Sequence, residues 1–260
     1  MPNYGDINYW ENRYYDLKDS TFDWIEDFES LKFILAETFN QVHDENPSVL
    51  MLGCGNSELS ENIYKELNIH KIFNIDISSN LIKFMKERCL EYEEMSWDVM
   101  DCRDLKFNHS YFDVIIDKGT MDSILCGDSP IINVAVMLKE AQRVLKVGGI
   151  YMLISHAEPE SRMMHLMREH LSFDVSVQNI KKEYIMSEEL VSMLGNINHS
   201  INIPNNHEKT HYVYICKKKV DADYICQENF HKVYYELEKG DVIEDEESKS
   251  EEVVELEENN

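Results

Sequence analysis

The sequence has no segment suited to crossing a membrane. No stretch approaches the roughly 18 consecutive apolar residues that a membrane-spanning helix needs. The amino terminus, Met-Pro-Asn-Tyr-Gly-Asp, lacks the basic region and following apolar region of a secretory signal. We therefore expect neither secretion nor a membrane span.

The cysteines form no pattern that indicates metal binding or a disulfide framework. No C-x-x-C pair occurs, and no histidines stand at matching spacings. We interpret the thiols as reduced and structural, in a cytosolic or nuclear compartment, and expect no metal site. The six cysteines are Cys54, Cys89, Cys102, Cys126, Cys216 and Cys226.

Basic residues are scarce. The chain has 25 Lys and Arg against 50 Asp and Glu, a formal net charge of -25. The segment from Glu236 to Asn260 holds twelve acidic and two basic residues, which leaves about -15 on the body of the chain. Such a surface repels nucleic-acid phosphates and favours a basic protein partner.

From Glu236 onward the composition predicts disorder, either as a docking tail or as a solvated tail without a role.

Apolar runs of strand length alternate with helical patterns along most of the chain. The alternation indicates a doubly wound α/β fold with a mostly parallel sheet. Predicted strands cover residues 48–52, 71–76, 95–99, 111–117, 149–155, 173–179 and 210–217. Predicted helices cover 9–17, 31–42, 57–67, about 131–145 and about 160–170, and another follows Ser78 or Ser79 as N-cap; residues 196–206 are predicted to form a loop.

The first predicted strand runs into the turn Gly53-Cys54-Gly55. Glycines let the backbone turn tightly and approach a ligand, and the following helix offers free N–H groups. Asp76 closes the second strand, 21 residues after Gly55, where an acid can reach the hydroxyls of a ribose. The pattern favours an adenosine-type ligand over a plain strand-to-helix turn. Ser57 stands near the place of the third glycine of dinucleotide sites, which disfavours a nicotinamide-dependent oxidoreductase.

From about Tyr9 to Leu153 the sequence resembles the elongation factor 1A lysine methyltransferases, including the methyltransferase domain named alongside endothelin-converting enzyme 2. The resemblance is carried by Tyr9-Trp10-Glu11-Asn12-Arg13-Tyr14, Asp23-Trp24-Ile25, Leu52-Gly53-Cys54-Gly55-Asn56-Ser57-Glu58-Leu59-Ser60, Met100-Asp101-Cys102-Arg103-Asp104-Leu105 and Phe112-Asp113-Val114-Ile115-Ile116-Asp117-Lys118-Gly119-Thr120-Met121-Asp122.

The resemblance implies a seven-stranded class I methyltransferase sheet, Rossmann-like, that binds S-adenosylmethionine. With the glycine turn, the expected cofactor residues are Trp10, Tyr14, Trp24, Gly53, Gly55, Asp76, Ile77, Asp101, Cys102 and Lys118. Three regions are expected: a cofactor-covering segment over 1–30, a methyltransferase domain over 31–220 and a C-terminal extension over 221–260. Met51 stands where many class I enzymes place an acid, and beyond about Ala157 the chain departs from the pattern.

The expected reaction is methyl transfer to a lysine, with elongation factor 1A as the basic protein substrate. Because a lysine must first lose a proton, Asp117 and Asp122 are candidates for orienting the amine. Alternatively, Asp117 holds the loop backbone and Asp122 caps a helix. A small-molecule acceptor, another protein acceptor, and a silent module that binds S-adenosylmethionine also remain open.

Overall fold

A computed structural model of the chain describes residues 2–15, 21–42, 44–182 and 209–258. The helices are α1 (Ile7–Arg13), α2 (Phe28–Asn40), α3 (Leu59–Glu66), α4 (Ser79–Arg88), α5 (Thr120–Ile124), α6 (Pro130–Val144), α7 (Pro159–Leu166) and α8 (Ala222–Glu258). The strands are β1 (Val49–Leu52), β2 (Ile72–Asp76), β3 (Ser96–Val99), β4 (Phe112–Lys118), β5 (Leu145–Ser155), β6 (Phe173–Lys182) and β7 (Lys209–Lys218).

The strands form one sheet in the order β3-β2-β1-β4-β5-β7-β6. Strands β1 to β5 pair in parallel, whereas β7 runs antiparallel to both β5 and β6. The doubly wound, mostly parallel seven-stranded α/β sheet predicted from the sequence is therefore confirmed.

Alternate residues of each buried strand serve opposite faces of the sheet. Leu50 and Leu52 of β1 pack in a cluster with Met137 and Leu138 of α6. Val49 and Met51 pack with residues of α2 and α3 on the other face. This double burial explains the continuous apolar runs, because neither face of a central strand meets water.

Side-chain caps set the first residues of α1, α2 and α4. Ser78 caps α4, since its hydroxyl accepts a hydrogen bond from the backbone N–H of Leu81 at 3.2 Å. Asp27 caps α2 by accepting from the N–H of Ser30 at 2.9 Å. Helix α2 therefore begins three residues before the apolar periodicity that starts at Leu31.

Helix α8 continues to Glu258 through the acidic segment for which the composition predicts disorder. The first part of α8 is anchored: Ala222 is buried, and its carbonyl accepts a hydrogen bond from Gln142 of α6 at 3.2 Å. Glu, Lys and Leu are strong helix formers, so a sequence that cannot build a core can still extend an anchored helix.

The loop predicted at 196–206 lies outside the described residues. In the part of the chain that the structure describes, no helix combines the length and apolarity needed to cross a membrane. All six cysteines fall within that part and are free thiols.

Candidate functional site

The carboxyl ends of β1 and β4 form a crevice in the middle of the sheet. After β1 the chain proceeds outward through β2 and β3, and it then returns to place β4 on the other side of β1. Ligands of open α/β sheets bind outside the strand ends at such a reversal of strand order. The turn after β1 and the turn after β4 therefore face each other across a potential binding site.

A cavity of about 390 Å³ occupies this crevice. Its size lies in the range of small-molecule and cofactor sites. All of the residues predicted to bind the cofactor line it, as does Asp122, whereas Asp117 does not. The predicted residues on the cavity wall are Trp10, Tyr14, Trp24, Gly53, Gly55, Asp76, Ile77, Asp101, Cys102, Lys118 and Asp122.

The turn Gly53-Cys54-Gly55 lines the cavity, and its backbone requires glycine at position 53. Gly53 has φ +57, and a Cβ there would lie 2.3 Å from Thr120 Oγ1. The Thr120 hydroxyl donates to the carbonyl of Leu52 at 2.7 Å, so it is held in place after β4. Gly55 also has a left-handed φ of +56.

Asp76 closes β2 beside this turn. Its carboxylate accepts hydrogen bonds from the N–H of Gly55 at 3.2 Å and from that of Ser78 at 3.0 Å. Burial raises the pKa of Asp76 to about 6, although these backbone donors act in the opposite direction. The structure thus holds an acidic oxygen pair in fixed orientation on the cavity wall.

An aromatic wall closes the side of the cavity formed by the N-terminal segment. The rings of Trp10 and Tyr14 stack at 5.8 Å and 21°, and Trp24 meets Trp10 edge-on at 6.0 Å. The indole Nε1 of Trp10 donates to the carbonyl of Tyr4 at 2.7 Å. In contrast, the buried Nε1 of Trp24 has no hydrogen-bond partner among the described residues. A buried donor of this kind on a cavity wall fits a ligand that offers an acceptor.

Lys118 joins the end of β4 to the N-terminal segment. Its ammonium lies 2.8 Å from Asp23 Oδ1 and donates to the carbonyl of Trp24 at 3.0 Å. Desolvation lowers the pKa of Lys118, and the Asp23 carboxylate opposes that shift. Lys118 is thus a largely buried cation at the cavity edge, where it can attract an anionic group of a ligand.

Asp101 and Cys102 line the cavity beyond β3. Asp101 forms an ion pair with Arg103 at 2.7 Å. Burial acts to raise the pKa of Asp101, but the hydrogen bonds from Arg103 outweigh it and the pKa is lowered. Arg103 also donates to Asn133 Oδ1 at 3.0 Å, and both of these residues line the cavity although the sequence analysis did not single them out.

Asp117 does not occupy the position expected of a residue that orients an amine. It is fully buried, and its carboxylate accepts hydrogen bonds from the N–H of Thr120 at 2.8 Å and from the hydroxyl of Tyr151 at 2.8 Å. Burial raises the pKa of Asp117 to about 7. Its placement argues for the alternative, in which it holds the loop backbone at the start of α5.

Asp122 lies in α5, lines the cavity and belongs to a polar cluster. Its Oδ1 accepts from Ser155 Oγ at 2.7 Å and from Arg162 Nε at 3.1 Å, while its Oδ2 lies 3.2 Å from His156 Nδ1. Asp122 is therefore an ion-paired member of a network and does not cap a helix.

Sequence reasoning missed His156 and Arg162. Both lie after β5, close to the point beyond which the family resemblance weakens. His156 follows the last residue of a predicted strand, and a polar residue at the carboxyl end of a parallel strand is a signal that could have identified it.

Within the described ranges, no group of three or more His, Cys, Asp and Glu side chains could hold a metal ion. The cavity is instead equipped for an organic ligand, with a glycine turn, a carboxylate, an aromatic wall and a cation.

Solved structures share the fold at low sequence identity, among them the following two. A chain from the complex between the Haloferax volcanii Trm112 methyltransferase activator and a methyltransferase superposes with a TM-score of 0.52 at 15% identity, covering 83% of this chain and 98% of that one. The N-methyltransferase NodS from Bradyrhizobium japonicum WM9 has a TM-score of 0.51 at 12% identity, covering 74% of this chain and 94% of that one. These likenesses support the Rossmann-like fold.

Curated relatives show closer sequence similarity. The chain is 38% identical over 158 residues to the "eEF1A lysine and N-terminal methyltransferase" of Mus musculus, an alignment that covers 60% of this chain and 22% of that protein. It is 32% identical over 171 residues to the "EEF1A lysine methyltransferase 4" of Mus musculus, covering 62% of this chain and 65% of that protein. The chain thus spans about a fifth of the length of the first of these relatives.

A family model described as "Methyltransferase domain" matches residues 43–218. The match covers more than half of the 260 residues and includes the sheet, the glycine turn and Asp76. The chain therefore belongs to the methyltransferase domain family.

Proposed function

We propose that this chain transfers a methyl group from S-adenosylmethionine to a lysine of elongation factor 1A. The observation that carries the proposal is the cavity at the carboxyl ends of β1 and β4, where the glycine turn, Asp76 and Lys118 meet. Membership of the methyltransferase domain family supports methyl transfer as the reaction. The names of the relatives that are similar in sequence support elongation factor 1A as the acceptor.

The cavity offers a complementary group for each part of the cofactor. The Asp76 carboxylate would accept hydrogen bonds from the two ribose hydroxyls, and Ile77 would flank the adenine. Asp101 and the backbone of Cys102 would read the adenine edge. The Lys118 ammonium would attract the methionine carboxylate. The cofactor itself supplies a methyl group on a cationic sulfur.

The N-terminal segment over 1–30 would cover the bound cofactor. Its rings Trp10, Tyr14 and Trp24 line the cavity, and a cation that faces an aromatic ring gains about 0.5 to 2 kcal/mol. The stack of Trp10 on Tyr14 would therefore favour the charged sulfonium. Positioning dominates the reaction, because the amine, the methyl group and the sulfur must be aligned for in-line transfer.

The negative net charge of the chain supports a basic protein as the acceptor. The formal net charge of -25 would attract a basic partner and raise its association rate at low ionic strength. An acceptor in the translation machinery would place the protein in the cytoplasm.

The test is incubation of the purified chain with radiolabelled S-adenosylmethionine and recombinant unmethylated elongation factor 1A. We expect label on the acceptor, and we expect Asp76→Ala to lose it. The matched control is Asp98→Ala, because Asp98 is exposed on the neighbouring strand β3 and lies outside the cavity. It should keep full activity.

Two further measurements separate the alternatives: parallel reactions with small-molecule amines as acceptors, and calorimetry of cofactor binding. Label on a small amine but not on the protein would contradict the proposed acceptor and keep methyl transfer. Cofactor binding without label on any acceptor would indicate a binding module, whereas absence of binding would contradict the proposal as a whole.

A further inference from the structure

A polar cluster lies beside the end of β4, and none of its members is among the residues assigned above to the cofactor. It consists of Asp122 in α5, Ser155 and His156 at the end of β5, and Arg162 in α7. The backbone N–H of Gly119 donates to the carbonyl of Ile154 at 3.1 Å, so the ends of β4 and β5 are adjacent. Asp122, His156 and Lys118 consequently line the same cavity.

The Asp122 carboxylate is held from two sides. Ser155 Oγ at 2.7 Å and the Arg162 guanidinium bind Oδ1, which leaves Oδ2 for His156. His156 Nδ1 lies 3.2 Å from Oδ2, and the backbone N–H of His156 donates to the same oxygen at 3.4 Å. Since Asp122 and Arg162 are both buried, the carboxylate is a rigid anchor for the imidazole.

The hydrogen bond to Asp122 determines the tautomer of His156. A carboxylate only accepts hydrogen bonds, so in the neutral imidazole the hydrogen lies on Nδ1 and Nε2 keeps its lone pair. Nε2 lies on the opposite edge of the ring and has no hydrogen bond to any described residue. The side chain of His156 is 60% exposed, whereas that of Asp122 is 8% exposed. His156 is therefore the accessible, basic end of a buried network.

We propose that His156 is the catalytic base that deprotonates the acceptor amine. The inference rests on the proposed methyl transfer and adds the group that removes the proton. The Nε2 lone pair takes a proton from the substrate ammonium, and the neutral amine forms the N–CH3 bond while the S–CH3 bond breaks. The bonding electrons stay on sulfur, which becomes a neutral thioether, and His156 returns the proton to solvent through its exposed edge.

The same geometry makes Asp122 a positioning residue. It acts on the acceptor through His156, since its own oxygens are engaged by Ser155, Arg162 and His156. Asp117 is excluded from the role by its complete burial and its position off the cavity wall. Among these three groups, only His156 combines a free lone pair with access to the cavity.

The experiment compares wild type, His156→Gln and His156→Ala with elongation factor 1A and the amine panel as acceptors. Loss of a general base typically lowers kcat by about 100-fold or more. We expect a loss of this size, with the KM for S-adenosylmethionine within about twofold of wild type, because the proposed cofactor contacts do not involve His156. Added imidazole should restore turnover of His156→Ala in proportion to its concentration.

The matched control is His109→Gln, at an exposed histidine outside the cavity, which should behave as wild type with and without imidazole. Full turnover by His156→Gln would overturn the inference and leave the proposed function standing. A loss of kcat that imidazole does not rescue would also overturn it, since that result indicates a structural role. A wild-type chain that labels no acceptor would overturn the inference together with the proposed function.

Discussion

At the level of single residues, two opposing effects act on the pKa of Asp76. Burial raises its pKa to about 6, whereas the amides of Gly55 and Ser78 favour the ionised form. The ionised carboxylate can accept from both hydroxyls of a ribose, but a protonated one needs an acceptor for its own hydrogen. Cofactor affinity should therefore be sensitive to mildly acidic pH.

We predict that S-adenosylmethionine binds well above pH 7 and progressively worse as the pH falls through about 6. Below that pH the dissociation constant should rise by up to about tenfold per pH unit, because binding requires release of one proton. Isothermal titration calorimetry from pH 5.5 to 8.0 measures the effect. Asp76→Asn should bind weakly at every pH, and an equally steep acid loss in this variant would assign the titration to another group.

At the level of elements, the turn between β1 and α3 combines a backbone requirement with a steric one. Gly53 needs a left-handed φ, and its missing Cβ leaves room for the Thr120 hydroxyl that bonds to Leu52. Gly148 in β5 has only the backbone requirement. It has φ +77, and a Cβ there would meet no atom within 4 Å.

We predict that Gly148→Ala lowers the free energy of unfolding by about 1 to 2 kcal/mol, the usual cost of a left-handed residue with a Cβ. Gly53→Ala should cost more and abolish cofactor binding, because the added methyl group displaces Thr120. Urea unfolding and calorimetry on both variants test this. Equal stability losses with retained cofactor binding in Gly53→Ala would show that the contact with Thr120 is easily relieved.

At the level of the whole molecule, α1 is held against the start of α4 by hydrogen bonds to a carboxylate. The Glu11 carboxylate accepts from the N–H of Ser79 at 2.8 Å, from the N–H of Asn80 at 3.2 Å and from the hydroxyl of Ser78 at 2.9 Å. Burial acts to raise the pKa of Glu11, but these hydrogen bonds outweigh it and the pKa is lowered. An anion at the start of α4 is also favoured by the helix dipole.

We predict that Glu11→Gln weakens cofactor binding about three- to tenfold, because α1 carries Trp10 and loses charge-assisted hydrogen bonds to α4. Hydrogen exchange of α1 amides should accelerate in the same variant. Glu37→Gln, at an exposed position of α2, is the matched control. Unchanged exchange in Glu11→Gln would show that the aromatic contacts alone hold the segment.

Local patterns were sufficient for much of the fold and for one half of the candidate site. Apolar runs in the sequence indicate buried strands. A glycine turn followed by a strand ending in Asp76 is a short-range pattern that indicates a binding site for an adenosine-type ligand. For this reason the strand positions, the turn and the carboxylate at the end of β2 could be predicted. The family resemblance added the aromatic residues and Lys118.

The other half of the site depends on segments that meet only in three dimensions. Asp122, His156 and Arg162 come from α5, the end of β5 and α7, and no sequence spacing relates them. Asp117 and Asp122 look equivalent in the sequence and both are buried, but only Asp122 lines the cavity. Their hydrogen-bond partners distinguish them, because packing in three dimensions decides which groups meet a carboxylate, and its neighbours along the chain do not.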